Sequence, residues 1–260
     1  MIVFAAIVPH PPESIPGVGP AEDIQKIEKT LAAFEELRIG LEKAAPDTVI
    51  VISPHGELEP YAFIINSAKK LVGDFSQFGS SETFEFKNDI ELAHKLKHLC
   101  RVDEMPVHTH RNKLDYGTLI PLHHLTKNLA PKIVQLSFSL MSYEKHFRYG
   151  QIIESVIGKA TSKRVAILAS GELSHRLTRN APAGFSPEAE NFDRDIIHQL
   201  GRGNLLSIIN MHKEDVDEAA ECGIRSIIVM MGAIHEEKHN FEFLSYEGPF
   251  GIGYLVARLI

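Results

Sequence analysis

Hydrophobic residues in this chain follow two rhythms. Four continuous apolar runs rich in β-branched residues, Ile2–Val8 and residues 48–52, 132–138 and 164–169, are too short for globular helices and predict strands buried on both faces. Elsewhere apolar residues recur every three or four positions, as at Ile24, Ile27, Leu31, Phe34, Leu37 and Leu41, which predicts a helix over 21–45. The same spacing predicts helices over 89–99, Tyr143–Ala160, 186–200, 204–210 and 224–235. Residues 61–67 and 70–75 read as strands of a hairpin leading into a Gly79-Ser80-Ser81 loop. Residues 213–221 are a polar stretch, and 241–246 and 251–259 close the chain as strands. This alternation predicts an α/β fold, a single domain over residues 1–260 with a mixed, largely parallel sheet flanked by helices.

The residues that follow the strands are polar and repetitive in kind. The first run ends at Pro9-His10-Pro11-Pro12, where prolines hold the backbone extended and present the imidazole at the carboxyl end of a core strand. The second ends at Ser53-Pro54-His55-Gly56-Glu57, and the fourth at Ser170-Gly171-Glu172-Leu173-Ser174-His175. In a right-handed βαβ unit the first two strands are parallel and expected to be adjacent, so His10 and His55 emerge at the same end of the sheet, where open α/β sheets bind ligands. Two imidazoles converging there form a metal-site geometry rather than a packing geometry.

Other histidines invite a plainer reading. His94 and His98, four apart on a helix among lysines, predict a solvated face, with no Glu after His94 to make a metalloprotease motif. His108 and His110 alternate with no strand signal before them and read as loop residues rimming a pocket. Gly117, in the turn within 114–122, reads as a position needing a permissive backbone.

Composition narrows the setting. A formal charge of −7 with scattered Lys and Arg gives no footprint for nucleic acid. No segment is long and apolar enough to span a bilayer, and the first apolar run lacks the basic flank of a signal peptide. Two cysteines, Cys100 and Cys222, make no disulfide framework, so the expected location is the cytoplasm.

Two neutral imidazoles and a carboxylate on one face of Fe(II) leave open positions for an organic substrate and O2, and a further histidine can move protons. Zinc hydrolysis competes, because zinc accepts the same ligands with one position open to water. Serine chemistry is weaker: Ser170 and Ser174 lie near His175, but there is no Gly-x-Ser-x-Gly elbow.

Five motifs then resemble one family in its order: Val8-Pro9-His10-Pro11-Pro12, Ser53-Pro54-His55-Gly56, the stretch Leu114-Asp115-Tyr116-Gly117-Thr118-Leu119-Ile120-Pro121-Leu122, Ser170-Gly171-Glu172-Leu173-Ser174-His175, and Glu221-Cys222-Gly223 before an apolar helix. They look like the catalytic chains of the class III extradiol ring-cleavage dioxygenases, and more narrowly the N-terminal half of AmmeMemoRadiSam system protein A. The resemblance implies Fe(II) bound by His10, His55 and Glu221, with His175 as acid/base and Asp115, Tyr116 and His123 in the substrate pocket. It implies cleavage of a catechol-type ring beside its diol. Asp115-Tyr116-Gly117 stands where ring-cleaving members commonly carry Asp-His-Gly, so substrate preference does not transfer. The Memo relatives place a cysteine as third metal ligand, which makes Cys222 the alternative donor and Zn or Cu the alternative ion. On that alternative the chain is a metal-binding or redox accessory protein without ring cleavage; a third reading is a binding module that has lost its metal. Expected partners are a small aromatic diol and O2, other AmmeMemoRadiSam proteins, and further copies of the chain in a homo-oligomer; nucleic acid and membrane are not among them.

Overall fold

The computed structural model describes residues 1–260, the side chain of Ala160 excepted. Its centre is a sheet whose strands, among the described residues, are β1 (Ile2–Val8), β2 (Thr48–Ser53), β3 (Phe63–Asn66), β6 (Val107–His110), β7 (Lys132–Ser137), β8 (Val165–Ser170), β9 (Glu242–Glu247) and β10 (Tyr254–Arg258). They lie in the order β6-β3-β7-β2-β8-β1-β10-β9. The inner four, β7, β2, β8 and β1, are mutually parallel. β3 runs antiparallel to β7 and β10 antiparallel to β1, which makes the sheet mixed. The fold is thus a single-domain α/β arrangement with a mostly parallel sheet, as the strand–helix alternation predicts.

Period-two alternation sends each inner strand's side chains to both faces. Ile50 and Ile52 of β2 and Ile167 of β8 join one apolar layer, while Val49, Val51 and Leu168 join the other. The first layer is covered by α2 (Ile90–Val102), α4 (Tyr143–Ala160), α5 (Ala189–Gly201), α6 (Leu205–Ile209) and α8 (Ile224–Ala233). The second is covered by α1 (Glu28–Ala44), α3 (Tyr116–Leu125) and a ribbon of β4 (Lys70–Asp74) paired with β5 (Thr83–Lys87). No helix among the described residues is long and apolar enough to cross a membrane.

Several expectations change. β1 and β2 are not neighbours: β8 lies between them, because the chain returns after α4 to fill the gap. Residues 61–67 and 70–75 do not pair with each other; β3 enters the main sheet and β4 turns away to pair with β5, whose pattern of exposed and half-buried residues gives little strand signal. The helix expected over 21–45 starts as a 3-10 turn over Asp23–Ile27 before α1 begins. The polar stretch at 213–221 contains α7 (Lys213–Ala219). His108 and His110 belong to edge strand β6 rather than a loop. His94 and His98 are exposed on α2, as expected.

α4 and α8 cross at Gly150 and Gly232, where a Cβ on Gly150 would overlap the Val229 carbonyl and one on Gly232 the Phe147 carbonyl. Glycine is needed there for close approach. At the amino end of the sheet, buried Asp89 caps α2 and ties several elements together. It accepts from Leu92 N–H (3.2 Å), the Thr48 hydroxyl (2.6 Å) and, at both oxygens, from Lys163 Nζ (2.8 Å each).

These contacts set the sign of two stability effects. Gly150→Ala gains helix propensity of about 1 kcal/mol, yet the overlap with α8 should leave the protein less stable by about 1–3 kcal/mol. Gly158→Ala on the same helix, where a Cβ meets only the Glu154 side chain at 3.6 Å, should stabilise by about 0.5–1 kcal/mol. Denaturant melts of the pair check both signs. Asp89→Ala should cost about 3 kcal/mol, because it strands Lys163 and the Thr48 hydroxyl as well as losing a cap. Burial favours the neutral acid, but the bonds from Lys163, Thr48 and Leu92 outweigh it and lower the Asp89 pKa. Its contribution is therefore present above the unfolded-state value of about 3.9 and lost as pH falls through the lower folded one. Acid titration of stability should show that loss in the parent and not in the variant.

Candidate metal centre

Because β8 lies between β1 and β2 and all three are parallel, the segments following them meet at one edge of the sheet. His10 follows β1 and is buried at 1% exposure. Its Nδ1 lies 2.9 Å from Ser170 Oγ, and that hydroxyl donates to the Gly117 carbonyl at 2.5 Å. A serine has one proton to give, so Ser170 must accept from His10 Nδ1–H. The tautomer is thereby fixed, and Nε2 carries the free lone pair.

His55 follows β2 and brings its Nε2 to 3.0 Å from His10 Nε2. The two rings meet edge to face with centroids 4.7 Å apart. Burial first, then the neighbouring His10, pushes the His55 pKa down to about 3; burial also lowers that of His10. Both rings are therefore neutral at physiological pH, the state in which imidazole binds metal. Two nitrogens each about 2.0–2.1 Å from one ion would themselves lie roughly 3 Å apart, which is the spacing present.

The third side of the site comes from Cys222, whose Sγ lies 3.8 Å from His10 Nε2. The donor atoms of His10, His55 and Cys222 all lie within 4.8 Å of one another. Burial, then the Glu172 charge, raises the Cys222 pKa, so the thiol keeps its proton until a cation displaces it. Its position depends on two glycines. A Cβ on Gly171 would overlap the Gly223 backbone, and without one the two segments exchange Cys222 N–H to Glu172 O (3.2 Å) and Glu172 N–H to Cys222 Sγ (3.3 Å).

Glu221 points elsewhere. Its Oε2 accepts from Ile224 N–H at 2.6 Å, satisfying an otherwise unpaired donor in the first turn of α8. Among the described residues it joins no potential metal-binding group. The expectation of Glu221 as third donor is not met by this geometry, because the helix start has claimed the carboxylate; Cys222, the alternative, faces the histidines.

A different carboxylate does approach them. Buried Glu172 lies 3.8 Å from His10 Nε2 and 3.3 Å from His175 Nε2. Burial pushes its pKa up, but His10 and His175 outweigh that and the net shift is downward. His175 donates from Nδ1 to the Leu173 carbonyl at 3.0 Å, which leaves Nε2 to exchange a proton facing Glu172. For His175 burial favours the neutral ring, yet the Glu172 bond and charge outweigh it and the pKa rises. Glu172 is missing from the expected site residues although it stands three positions before His175 in the same motif; its only sequence signal is that spacing.

The expected pocket residues divide. Tyr116 stacks on His55 with centroids 4.3 Å apart, and its hydroxyl lies 2.9 Å from His55 Nε2. Asp115 caps α3 through Thr118 N–H (3.0 Å) and accepts from Ser53 Oγ and Gln135 Nε2 (2.5 Å each), so it holds the loop behind His55. Gly117 has no left-handed backbone angle; a Cβ there would lie 2.6 Å from Ser53 Oγ and 3.2 Å from His55 Cδ2, so glycine serves close approach instead. His123 is set apart, its ring against Phe75, Phe84 and His124 beside the β4–β5 ribbon.

Comparison with known proteins identifies the family of the chain. Residues 4–257 match the family model described as the catalytic LigB subunit of aromatic ring-opening dioxygenase. A Clostridium acetobutylicum protein, CA_C1420, is 32% identical over 97% of this chain, which spans only 56% of that relative's length. The 2-aminophenol 1,6-dioxygenase beta subunit of a Pseudomonas species is 28% identical over 99% of the chain and 93% of its own length. The 3,4-dihydroxyphenylacetate 2,3-dioxygenase of Escherichia coli is 23% identical over 92% of each. The crystal structure of the uncharacterized Escherichia coli K12 protein JW3007 shares the fold, with a TM-score of 0.73 at 16% identity over 99% of this chain and 100% of its own. With the model matched over nearly all of its length, this chain belongs to the LigB family, that of the catalytic subunit of aromatic ring-opening dioxygenases.

Proposed function

We propose that this protein is a metal-dependent oxidoreductase that opens an aromatic ring beside adjacent hydroxyls, or beside a hydroxyl and an amino group, using O2 and one Fe(II) held by His10, His55 and Cys222. The observation that carries this reading is the Glu172–His175 pair, a buried carboxylate 3.3 Å from an imidazole and 3.8 Å from His10 Nε2. A site that only stores metal has no use for a poised proton donor. Two relatives aligned over nearly their whole lengths are named as dioxygenases of an aminophenol and a dihydroxyphenyl acid, which supports the substrate class.

Iron bound there would supply Lewis acidity toward the ring's oxygen substituents and electrons for O2. The protein does the rest. Ser170 holds the His10 ring in the ligating tautomer, and burial of that ring keeps water from competing for it. The Tyr116 hydroxyl, 2.9 Å from His55 Nε2, would turn to donate a hydrogen bond to a substrate oxygen. His175, its added proton on Nε2 balanced by the Glu172 carboxylate, would donate that proton to the substrate as the ring opens and take one back from solvent afterwards.

A second reading is favoured by one observation, the cysteine in place of a carboxylate. Thiolate is the softer donor and suits Cu(I) or Zn as well as iron. On that reading the chain is a metal-binding or redox accessory protein, a partner of AmmeMemoRadiSam proteins, and cleaves no ring.

Metal content of anaerobically purified protein, followed by O2 uptake with catechol and 2-aminophenol, separates the two. Iron with substrate-dependent uptake supports the oxidoreductase; bound metal with no uptake across the panel supports the accessory protein. His10→Ala, His55→Ala and Cys222→Ala should each lose most of the metal measured by elemental analysis. Glu221→Ala should keep it while losing about 1 kcal/mol of stability with its helix contact. Metal lost in Glu221→Ala and kept in Cys222→Ala would reverse the assignment of the third donor. His175→Gln should retain metal and slow ring opening by about 10²–10⁴-fold; unchanged turnover would leave His175 a structural residue.

A further inference from the structure

His108 and His110 take no part in the centre described above. On edge strand β6 they are two residues apart and so share one face, and the segment after β2 brings Glu57 and Glu59 to them. Glu59 Oε2 lies 2.5 Å from His108 Nδ1, and Glu59 Oε1 lies 2.9 Å from His110 Nε2. The other nitrogen of His110, Nδ1, is 2.6 Å from Glu57 Oε2, an oxygen that also accepts from Asn112 Nδ2. One donor atom each from Glu59, His108 and His110 falls within 4.8 Å of the others.

The donor atoms are arranged as ligation by one cation requires. When His110 donates from Nδ1 to Glu57, its neutral ring aims the Nε2 lone pair at a Glu59 oxygen 2.9 Å away. That repulsion is relieved by a second proton on the ring or by a metal ion between the two. Ligation through both imidazoles would bring no charge of its own, and the two carboxylates beside them, Glu57 and Glu59, match the charge of a divalent ion. A carboxylate on the far nitrogen of a histidine is also the usual support of a metal ligand, since it fixes the tautomer and raises ligand basicity. Two nitrogens and one oxygen, with solvent on the open side, suit Zn(II) or a neighbouring divalent transition metal.

We propose that Glu59, His108 and His110 form a second divalent metal site of the zinc class, with Glu57 orienting His110. Its role is structural. Glu59 lies four residues after His55, and its backbone bridges to Ala62 and Ser139, so an ion there fastens the segment that carries His55 to the edge of the sheet.

The test is equilibrium dialysis of chelator-treated full-length protein against micromolar Zn(II), with bound zinc counted per chain. The parent should bind two. His108→Ala/His110→Ala and His10→Ala/His55→Ala should each bind one, which identifies the two sites separately. Glu57→Gln should weaken the second zinc by about 10–100-fold without touching the first. Because His108 and Glu57 are solvent-accessible, these variants should fold, and circular dichroism checks that they do. In the His10→Ala/His55→Ala background, Zn(II) should still raise the melting temperature, and that rise should vanish when Glu59→Gln is added. A His108→Ala/His110→Ala protein that binds as much zinc as the parent overturns the proposal. So does a parent that binds a single zinc lost only with His10 and His55, which would leave the cluster as ion pairs of protonated histidines.

Discussion

Parallel pairing of β8 with both β1 and β2 is the constraint from which the rest of the candidate centre descends. Register matches Val8 with Ser170 and Ile52 with Ala169, so three strands finish at nearly the same level. Everything polar that follows them is then confined to one edge, while their apolar bodies fill two layers of core. The cost of holding His10 almost wholly buried is offset by that core and by polar contacts at both ring nitrogens, Ser170 at Nδ1 and His55 and Cys222 at Nε2. A shift of one residue in β8 would carry Ser170 to the other face and release the ring.

Elements whose signal is local could be read from the sequence. The four inner strands are continuous apolar runs because both faces are covered, and the histidines after two of them stand out against prolines. What could not be read is order across the sheet: nothing in residues 2–53 states that a strand beginning only at Val165 will separate β1 from β2. The same limit explains the third donor. Glu221 and Cys222 are neighbours in sequence, and which one faces the histidines is decided by a backbone contact between Gly171 and Gly223 and by the unpaired donors at the start of α8. Glu172 lies in plain view between Ser170 and His175, but its approach to His10 needs the parallel pairing of β8 and β1 before it can be inferred. His108 and His110 lack strand signal because an edge strand of four residues, none of them fully buried, carries no apolar run.

Two kinds of buried ionisable group share the centre. His10, His55 and Cys222 are held in their neutral forms by desolvation, and so are ready to meet a cation whose charge would do what water does elsewhere. Glu172 and His175 go the other way, each sustaining the other's charge in spite of burial. A site that needs both an ion and a mobile proton has reason to keep these populations apart, and here the division falls between residues that meet at His10 Nε2.

The hydrogen bond from Ser170 to the Gly117 carbonyl links two places that are far apart along the chain. That carbonyl belongs to the first turn of α3, one residue from Tyr116, while the serine steers His10. The turn and the imidazole therefore share a single hydroxyl, and the Tyr116 and His10 rings also meet edge to face with centroids 5.5 Å apart. Because Tyr116 stacks on His55 as well, one helix start holds both rings in a common frame, and neither is oriented independently of α3.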